Sequence, residues 1–523
     1  MTNSPDPNGP WKCSGNPPGS HPEVENYGDK CLLCPNTRLG KPKPNGGSPG
    51  KDKSKLVTLV SILVVAAILG VTWLLLKPRQ EVEIAGPEPI PTPTTTYNPP
   101  PPPPSPTVER YSSGERVLLI GKSNTDRDRG IEAFKAGNYS QAAQEFEKAV
   151  LGDRTNPELQ IYLNNAKARQ AGTPFVLAVV VPIDSNVTSA EEILRGVADA
   201  QTQFNDAKGL NNQLLEIAIA NDGNDPAIAT EVAQKLANDP NILAVIGHNS
   251  SDASKAALVE YEKAGIAMVS PTSTSTELSG NSFFRTLPSD AVSGAKLADY
   301  AWNTLLLDKV VIFHNPNSSY SKSLEQAFAT QFQQLGGQVV KTINIADPNF
   351  NAEQEIKAIQ NQAQAVILFP NTKTTSTAIG VAVANSNQPA TQRLKLLGGD
   401  ALYTPATLTS GSNAVEGLIL AVPWVAETEY AKRAERRWLG GVNWRTAMSF
   451  DATQALIKTL SSSASRTTVL QNLKNTNLSA SETAGEALIF EPTGDRQAYP
   501  ILVQAVRSSG GPSGSPFAFK PIK

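Results

Sequence analysis

From Phe175 to about Gln504 the chain alternates two kinds of segment. FVLAVVVPI, LLEIAIAND, ILAVIGH, GIAMVSP, KVVIFHN, QVVKTINI, AVILFPN, LKLLGGD and GLILAVP are short apolar runs rich in Val and Ile. Between most of them lie roughly 12 to 20 residues at helical spacing, such as SAEEILRGVADAQTQFNDAKG and DPAIATEVAQKLAND, closed by Gly or by Asp-Pro. Near-continuous apolar strands separated by helices predict parallel sheets covered on both faces. About 330 residues exceed what one such sheet organises, so the pattern predicts two α/β lobes over residues 173–505, with 506–523 as a tail.

Three other patterns precede this region. Leu56 to Leu76, LVTLVSILVVAAILGVTWLLL, is an uncharged run of 21 residues that reaches about 30 Å as a helix and matches a bilayer core. It begins too late for a secretory signal and ends in leucines rather than small residues, which predicts an uncleaved transmembrane anchor. Lys41, Lys43, Lys51, Lys53 and Lys55 flank its start. The positive-inside rule therefore keeps residues 1–55 cytoplasmic and everything after Lys77 periplasmic or otherwise extracytoplasmic. From Pro87 to Pro106, eleven of twenty residues are proline, and residues 77–126 read as a semi-rigid polyproline spacer, a PxxP-type signalling ligand being the alternative.

Residues 127–170 return to helical spacing, with Gly137, Asn138 and Tyr139 marking a turn between two short helices. Gly130, Phe134, Gly137, Tyr139, Ala142, Phe146, Ala149 and Pro157 resemble one tetratricopeptide (TPR) unit. One such unit cannot bury its own face, so it either packs on the domain that follows or recruits a partner.

Composition narrows the chemistry. Forty-six Lys and Arg against 48 Asp and Glu leave a formal charge of −2, which argues against a nucleic-acid partner. Only His21, His248 and His314 are histidines, too few for a His-rich metal centre. His248 beside Ser251 and Asp252 allows a hydrolase triad to be drawn, but no GxSxG elbow surrounds either serine of that stretch, and no glycine-rich phosphate loop occurs. All three cysteines, Cys13, Cys31 and Cys34, lie within residues 1–55, the expected cytoplasmic head. With His21 they make a candidate structural zinc shell, similar to half of a zinc ribbon with one cysteine missing; a tail with incidental cysteines is the alternative.

Ligands of open parallel sheets bind beyond the carboxyl ends of the strands, where helix N-termini offer free N–H groups. Two junctions stand out there, His248-Asn249-Ser250-Ser251-Asp252 after ILAVIG and Pro271-Thr272-Ser273-Thr274-Ser275-Thr276 after GIAMVS. Short hydroxyl side chains and unpaired N–H groups suit a carboxylate, though each serves equally as an ordinary N-cap.

The segment Val245–Leu278, followed by Phe284-Arg285-Thr286 and Pro288-Ser289-Asp290, resembles the periplasmic leucine/isoleucine/valine-binding proteins of amino-acid ABC transporters. Arg195-Gly196, Asn205, Asn221-Asp222, Asp400-Ala401-Leu402-Tyr403, Val415-Glu416-Gly417 and Val422-Pro423 follow the same pattern in the same order. The resemblance covers roughly residues 173 to 505 and implies a type I periplasmic-binding fold, without cofactor, that closes on an amino acid and delivers it to a permease and ATPase. It implies Ser251 and Thr274 on the α-carboxylate, Ser273 beside them, Tyr320 closing from the second lobe and Asp400 on the α-ammonium. Asp400 also reads as a turn residue and Tyr320 as a packing residue. The chain departs from the pattern at Asn371 and Thr372, where many relatives carry a tyrosine, and in PIDSNVTSAEE, which lacks the usual glycines and aromatic. The expectation is a membrane-anchored solute-binding protein for branched-chain or other neutral amino acids rather than an enzyme. The alternatives are an interaction or regulatory protein of the cell envelope with no small ligand, and an amino-acid-sensing receptor.

Overall fold

The structure is a computed structural model that describes residues 109–119, 121 and 123–522, together with two short strands near the start of the chain. Those strands, β1 (Trp11–Cys13) and β2 (Val24–Asn26), pair antiparallel, with Cys13 opposite Val24. His21, Cys31 and Cys34, the apolar run 56–76 and the proline-rich stretch lie outside the described residues. Among the described residues no helix is long and apolar enough to cross a membrane. The chain divides into two units, 1–103 and 104–523, and both α/β lobes belong to the second.

Two sheets organise this second unit. The first contains β3 (Tyr111–Ser112), β4 (Phe175–Val181), β5 (Leu215–Asn221), β6 (Ile242–Ile246), β7 (Ala267–Ser270) and β8 (Phe283–Arg285), in spatial order β3-β5-β4-β6-β7-β8. Strands β4 to β8 run parallel and β3 is antiparallel at the edge. All seven residues of β4 are buried. Leu177, Val179 and Val181 pack on the helix Val187–Asp206, and Val176, Ala178 and Val180 belong to the cluster on the other face with Ala229, Val232 and Ala257. Period-two alternation thus feeds two apolar layers at once, and this is why the run shows no polar interruption.

The second sheet contains β9 (Lys309–His314), β10 (Gln338–Asn344), β11 (Ala365–Phe369), β12 (Lys395–Gly398) and β13 (Ile419–Val422). After a small hairpin of β14 (Asn477–Leu478) and β15 (Leu488–Ile489), the sheet is completed by β16 (Ile501–Arg507) and β17 (Phe517–Pro521). Its order is β10-β9-β11-β12-β13-β16-β17, parallel as far as β13 and antiparallel beyond. The chain crosses between lobes three times, after β8, after β13 and before β16. Between the second and third crossings it returns to the first lobe as the helices Glu429–Trp438, Trp444–Thr459 and Arg466–Leu473. The helix Trp444–Thr459 lies so close to Val187–Asp206 that a Cβ on Gly196 would stand 2.1 Å from the Thr446 carbonyl oxygen.

Each of the nine apolar runs contains a strand, giving two α/β lobes with largely parallel sheets. The edges differ from the sequence reading. Residues 109–119 fall in the expected spacer, but Tyr111 and Ser112 pair with Ala220 and Ile219 on β5. Ser112 is fully buried, and its hydroxyl accepts the N–H groups of Gly114, Glu115 and Arg116. The expected tail 506–523 carries β17, whose Phe517 is buried in the second lobe. Gly, Pro and Ser between 508 and 516 mask this strand in the sequence, although they serve only as the turn that leads into it.

The helices Thr125–Lys135 and Tyr139–Gly152 pack on each other, and a Cβ on Gly130 would meet the Phe146 ring at 2.6 Å. A third helix, Pro157–Ala171, fastens the segment to the first lobe. Asn165 donates to the carbonyls of Ser113 and Ile217 (both 2.7 Å) and accepts from Ile217 N–H (2.9 Å) and Gln201 (2.7 Å). Of the two outcomes foreseen for this segment, packing on the following domain is thus realised through its third helix. Asn165→Ala strands several buried backbone and side-chain groups and is expected to cost about 3 kcal/mol, read as a lowered denaturant midpoint; a change below about 0.5 kcal/mol would show that water replaces the amide.

Candidate functional site

The carboxyl ends of β6 and β7 face those of β9, β11 and β12 across a cleft of about 310 Å³. Ser251, Asp252 and Thr272 line it from the first lobe and Tyr320, Asn371 and Asp400 from the second. The helix Ser251–Ala264 begins here. Ser250 is its N-cap and accepts from Ala253 N–H (3.2 Å), so the Ser251 hydroxyl, which accepts only a long bond from Ser275 N–H (3.4 Å), is left to the cleft.

On the second lobe Tyr320 stands in the first turn of the helix Ser319–Gln334. Its hydroxyl donates to Asp400 Oδ1 (2.7 Å) and accepts from Ala401 N–H (3.3 Å). The ring comes this near only because residue 399 is glycine, where a Cβ would lie 2.6 Å from the Tyr320 hydroxyl oxygen. Burial pushes the Asp400 carboxyl above its ordinary range, while the Tyr320 hydroxyl and the positive charge of Arg445 oppose that shift. The lobes also touch directly beside the cleft. Asp252 Oδ1 accepts from Ser319 N–H (2.8 Å), the Ser275 hydroxyl donates to Ser319 O (3.1 Å), and Thr276 N–H donates to the Ser323 hydroxyl (2.9 Å).

Of the five residues expected to hold a ligand, Ser251, Tyr320 and Asp400 come together in the cleft. Ser273 and Thr274 are not among the residues that line it. The Ser273 hydroxyl is fully buried and donates to His248 O (3.2 Å), with Ser254 at 2.7 Å. Ser270 and Thr272 also direct hydroxyls at that carbonyl (3.1 and 3.3 Å), so much of the hydroxyl-rich junction binds its own backbone. Thr274 is buried with its Oγ1 unpartnered, and its carbonyl accepts from Asp290 N–H (2.9 Å). In their place Thr272 reaches the cleft, its hydroxyl bonded to Asn249 O (2.8 Å).

Sequence reasoning missed Asn224, Asn315, Trp444 and Arg445, which line the cleft together with Asn249 of the first hydroxyl-rich junction. Arg445 sits at the start of a helix that follows a crossover, far along the chain from both hydroxyl-rich junctions, and nothing local marks it. Asn371 and Thr372 carried a signal, because both stand where an aromatic was expected. His248 does not address Ser251. Its ring nitrogens meet Asp222 (2.7 Å) and Tyr261 (3.0 Å), so no hydrolase triad assembles. Among the described residues no cluster of side chains is placed to hold a metal ion.

Two α/β lobes with three crossings and a polar cleft between them define a solute-binding fold. Residues 174–511 match the family described as periplasmic binding protein, and the chain belongs to that family, which binds solutes and is not enzymatic. The amino acid binding protein of Pseudomonas aeruginosa is 30% identical over 173 residues, which is 32% of this chain and 46% of that protein. The Leu/Ile/Val-binding protein of Escherichia coli is 31% identical over 173 residues, 32% of this chain and 45% of that protein. The chain spans about half the length of the curated relatives it matches. A leucine binding protein of Thermotoga maritima superposes with a TM-score of 0.57 at 20% identity, covering 66% of this chain and 97% of that one. A solute binding protein of R. palustris in complex with benzoate superposes with a TM-score of 0.56 at 17% identity, covering 67% of this chain and 97% of that one.

Asp290, next to this site, is completely buried, and the Thr274 and Ser323 hydroxyls near its carboxyl oxygens oppose the shift that burial imposes. Burial pushes its carboxyl from 3.8 up to about 8, and the nearby Asp400 charge adds to the shift. The folded state therefore holds a proton that the unfolded chain releases. The resulting stability is fully present below about pH 4 and is lost as pH rises through 8. Asp290→Asn, neutral throughout, is expected to flatten the fall of melting temperature between about pH 4 and 8. Parallel melting curves for variant and parent would show that the carboxyl is not held protonated.

Proposed function

We propose that this protein is the extracytoplasmic substrate-binding component of an ABC-type amino-acid uptake system, held at the membrane by the run 56–76. The observation that carries this reading is the pairing of a buried acid with neutral donors across one cleft. Asp400, steadied by Tyr320, takes the α-ammonium group, while the Ser251 hydroxyl and the free N–H groups at the start of the helix Ser251–Ala264 take the α-carboxylate. Thr272 assumes the place expected of Ser273 and Thr274. The names of the relatives, amino acid binding protein and Leu/Ile/Val-binding protein, support the same ligand class.

The work of such a protein is closure. A zwitterion that touches both lobes favours the closed arrangement by the difference in its affinity for closed and open forms. A separate permease and ATPase would read that closed form and supply the energy of transport. Calorimetric titration of the full chain in detergent against the twenty amino acids tests the reading, with saturable heat expected from one chemical group. Asp400→Asn is expected to weaken that binding about 100-fold, since it removes a charge-assisted bond. Silence across the twenty would sink the reading.

A further inference from the structure

Three arginines are buried among the described residues, Arg285, Arg445 and Arg496. Two of them are saturated. Arg285 donates to Asp495 (2.6 Å) and to the carbonyls of Ser275 and Leu278, and Arg496 donates to Asp451 (2.8 Å) and to the carbonyls of Thr286 and Glu486. Arg445 is the exception. Its side chain is 6% exposed and lines the cleft, its Nε has no acceptor, and no carboxylate of the described residues lies within ion-pair distance. Its guanidinium rests on the Trp444 ring at 4.3 Å. Glu192, an acid whose charge it feels, is engaged by Arg195, Asn443 N–H and Thr446. Asp400, the other, is bonded to Tyr320.

A buried cation without a counter-ion is costly, and in a binding cleft a ligand anion relieves that cost. If Asp400 takes the ammonium group and neutral donors take the α-carboxylate, Arg445 is left over. The rest of the wall agrees. Asn224, Asn249, Asn315 and Asn371 present amides and exposed Lys373 adds a second cation, beside the apolar surface of Pro226, Ala401, Trp444 and the Tyr320 ring. A branched aliphatic side chain would leave the Arg445 guanidinium without an anion, whereas a second carboxylate would pair with it and meet several N–H donors besides.

We propose that the ligand is an amino acid with an acidic side chain, whose second carboxylate pairs with Arg445. This deepens the function proposed above and rests on it. The test is calorimetry of the full chain with L-glutamate, L-aspartate, L-glutamine and L-leucine. Glutamate or aspartate is expected to bind at least about 10-fold more tightly than glutamine and leucine, and Arg445→Met is expected to cost the acidic ligand about 100-fold while changing glutamine by less than about 3-fold. Arg445→Lys, which keeps the charge, is expected to retain the acidic preference, and an unchanged melting temperature confirms folding. Leucine binding as tightly as glutamate overturns the acidic ligand while leaving an amino-acid-binding protein. Equal losses for glutamate and glutamine in Arg445→Met also overturn it, placing Arg445 on the α-carboxylate instead. Silence with every amino acid removes both proposals together.

Discussion

A carboxylate withdrawn from water has to be compensated by its surroundings, and the architecture of the cleft depends on how incompletely Asp400 is compensated. Its one strong partner is the Tyr320 hydroxyl, which itself depends on the missing side chain at Gly399. The acid is thereby fixed in position, with one oxygen held by the tyrosine. Across the cleft the opposite charge, Arg445, is also fixed and only partly satisfied. Holding two such groups apart requires a stiff frame on both sides.

That frame comes from the doubled cores. Each central strand supplies alternate residues to two apolar layers, so the strand ends bearing the cleft residues cannot tilt without disturbing both. Gly196 and Gly294 allow helices to approach closely where a methyl group would collide, at 2.1 Å with Thr446 O and at 2.7 Å with Ala327 Cβ. The crossings are tied by Arg285 with Asp495 and by Arg496 with Asp451. Both arginines are buried and gather backbone carbonyls as well as acids, which fixes the geometry of the links between the lobes.

The two-lobed architecture was legible in the sequence because strands buried on both faces leave short apolar runs rich in Val and Ile, separated by segments at helical spacing. Strands β3, β8, β16 and β17 were not, because none lies in one of the nine apolar runs and their pairing is decided by the part of the sheet they meet. In the site, Ser251, Tyr320 and Asp400 come shortly after strand ends and were readable. The Ser273 hydroxyl looked equally available, yet a neighbouring backbone carbonyl, His248 O, claims it through a contact 25 residues distant in sequence. Arg445 was invisible because the crossings, not local pattern, bring its helix to the cleft.

The edge strand β3 has a mechanical meaning. Through Tyr111 and Ser112, and through Asn165 on the helix Pro157–Ala171, the chain entering at Glu109 is bonded to the first lobe. Any rotation about the three crossings is therefore, seen from that entry point, a swing of the second lobe alone. In the closure proposed above the first lobe would act as the stator, and Tyr320, Asn371 and Asp400 would ride on the moving part.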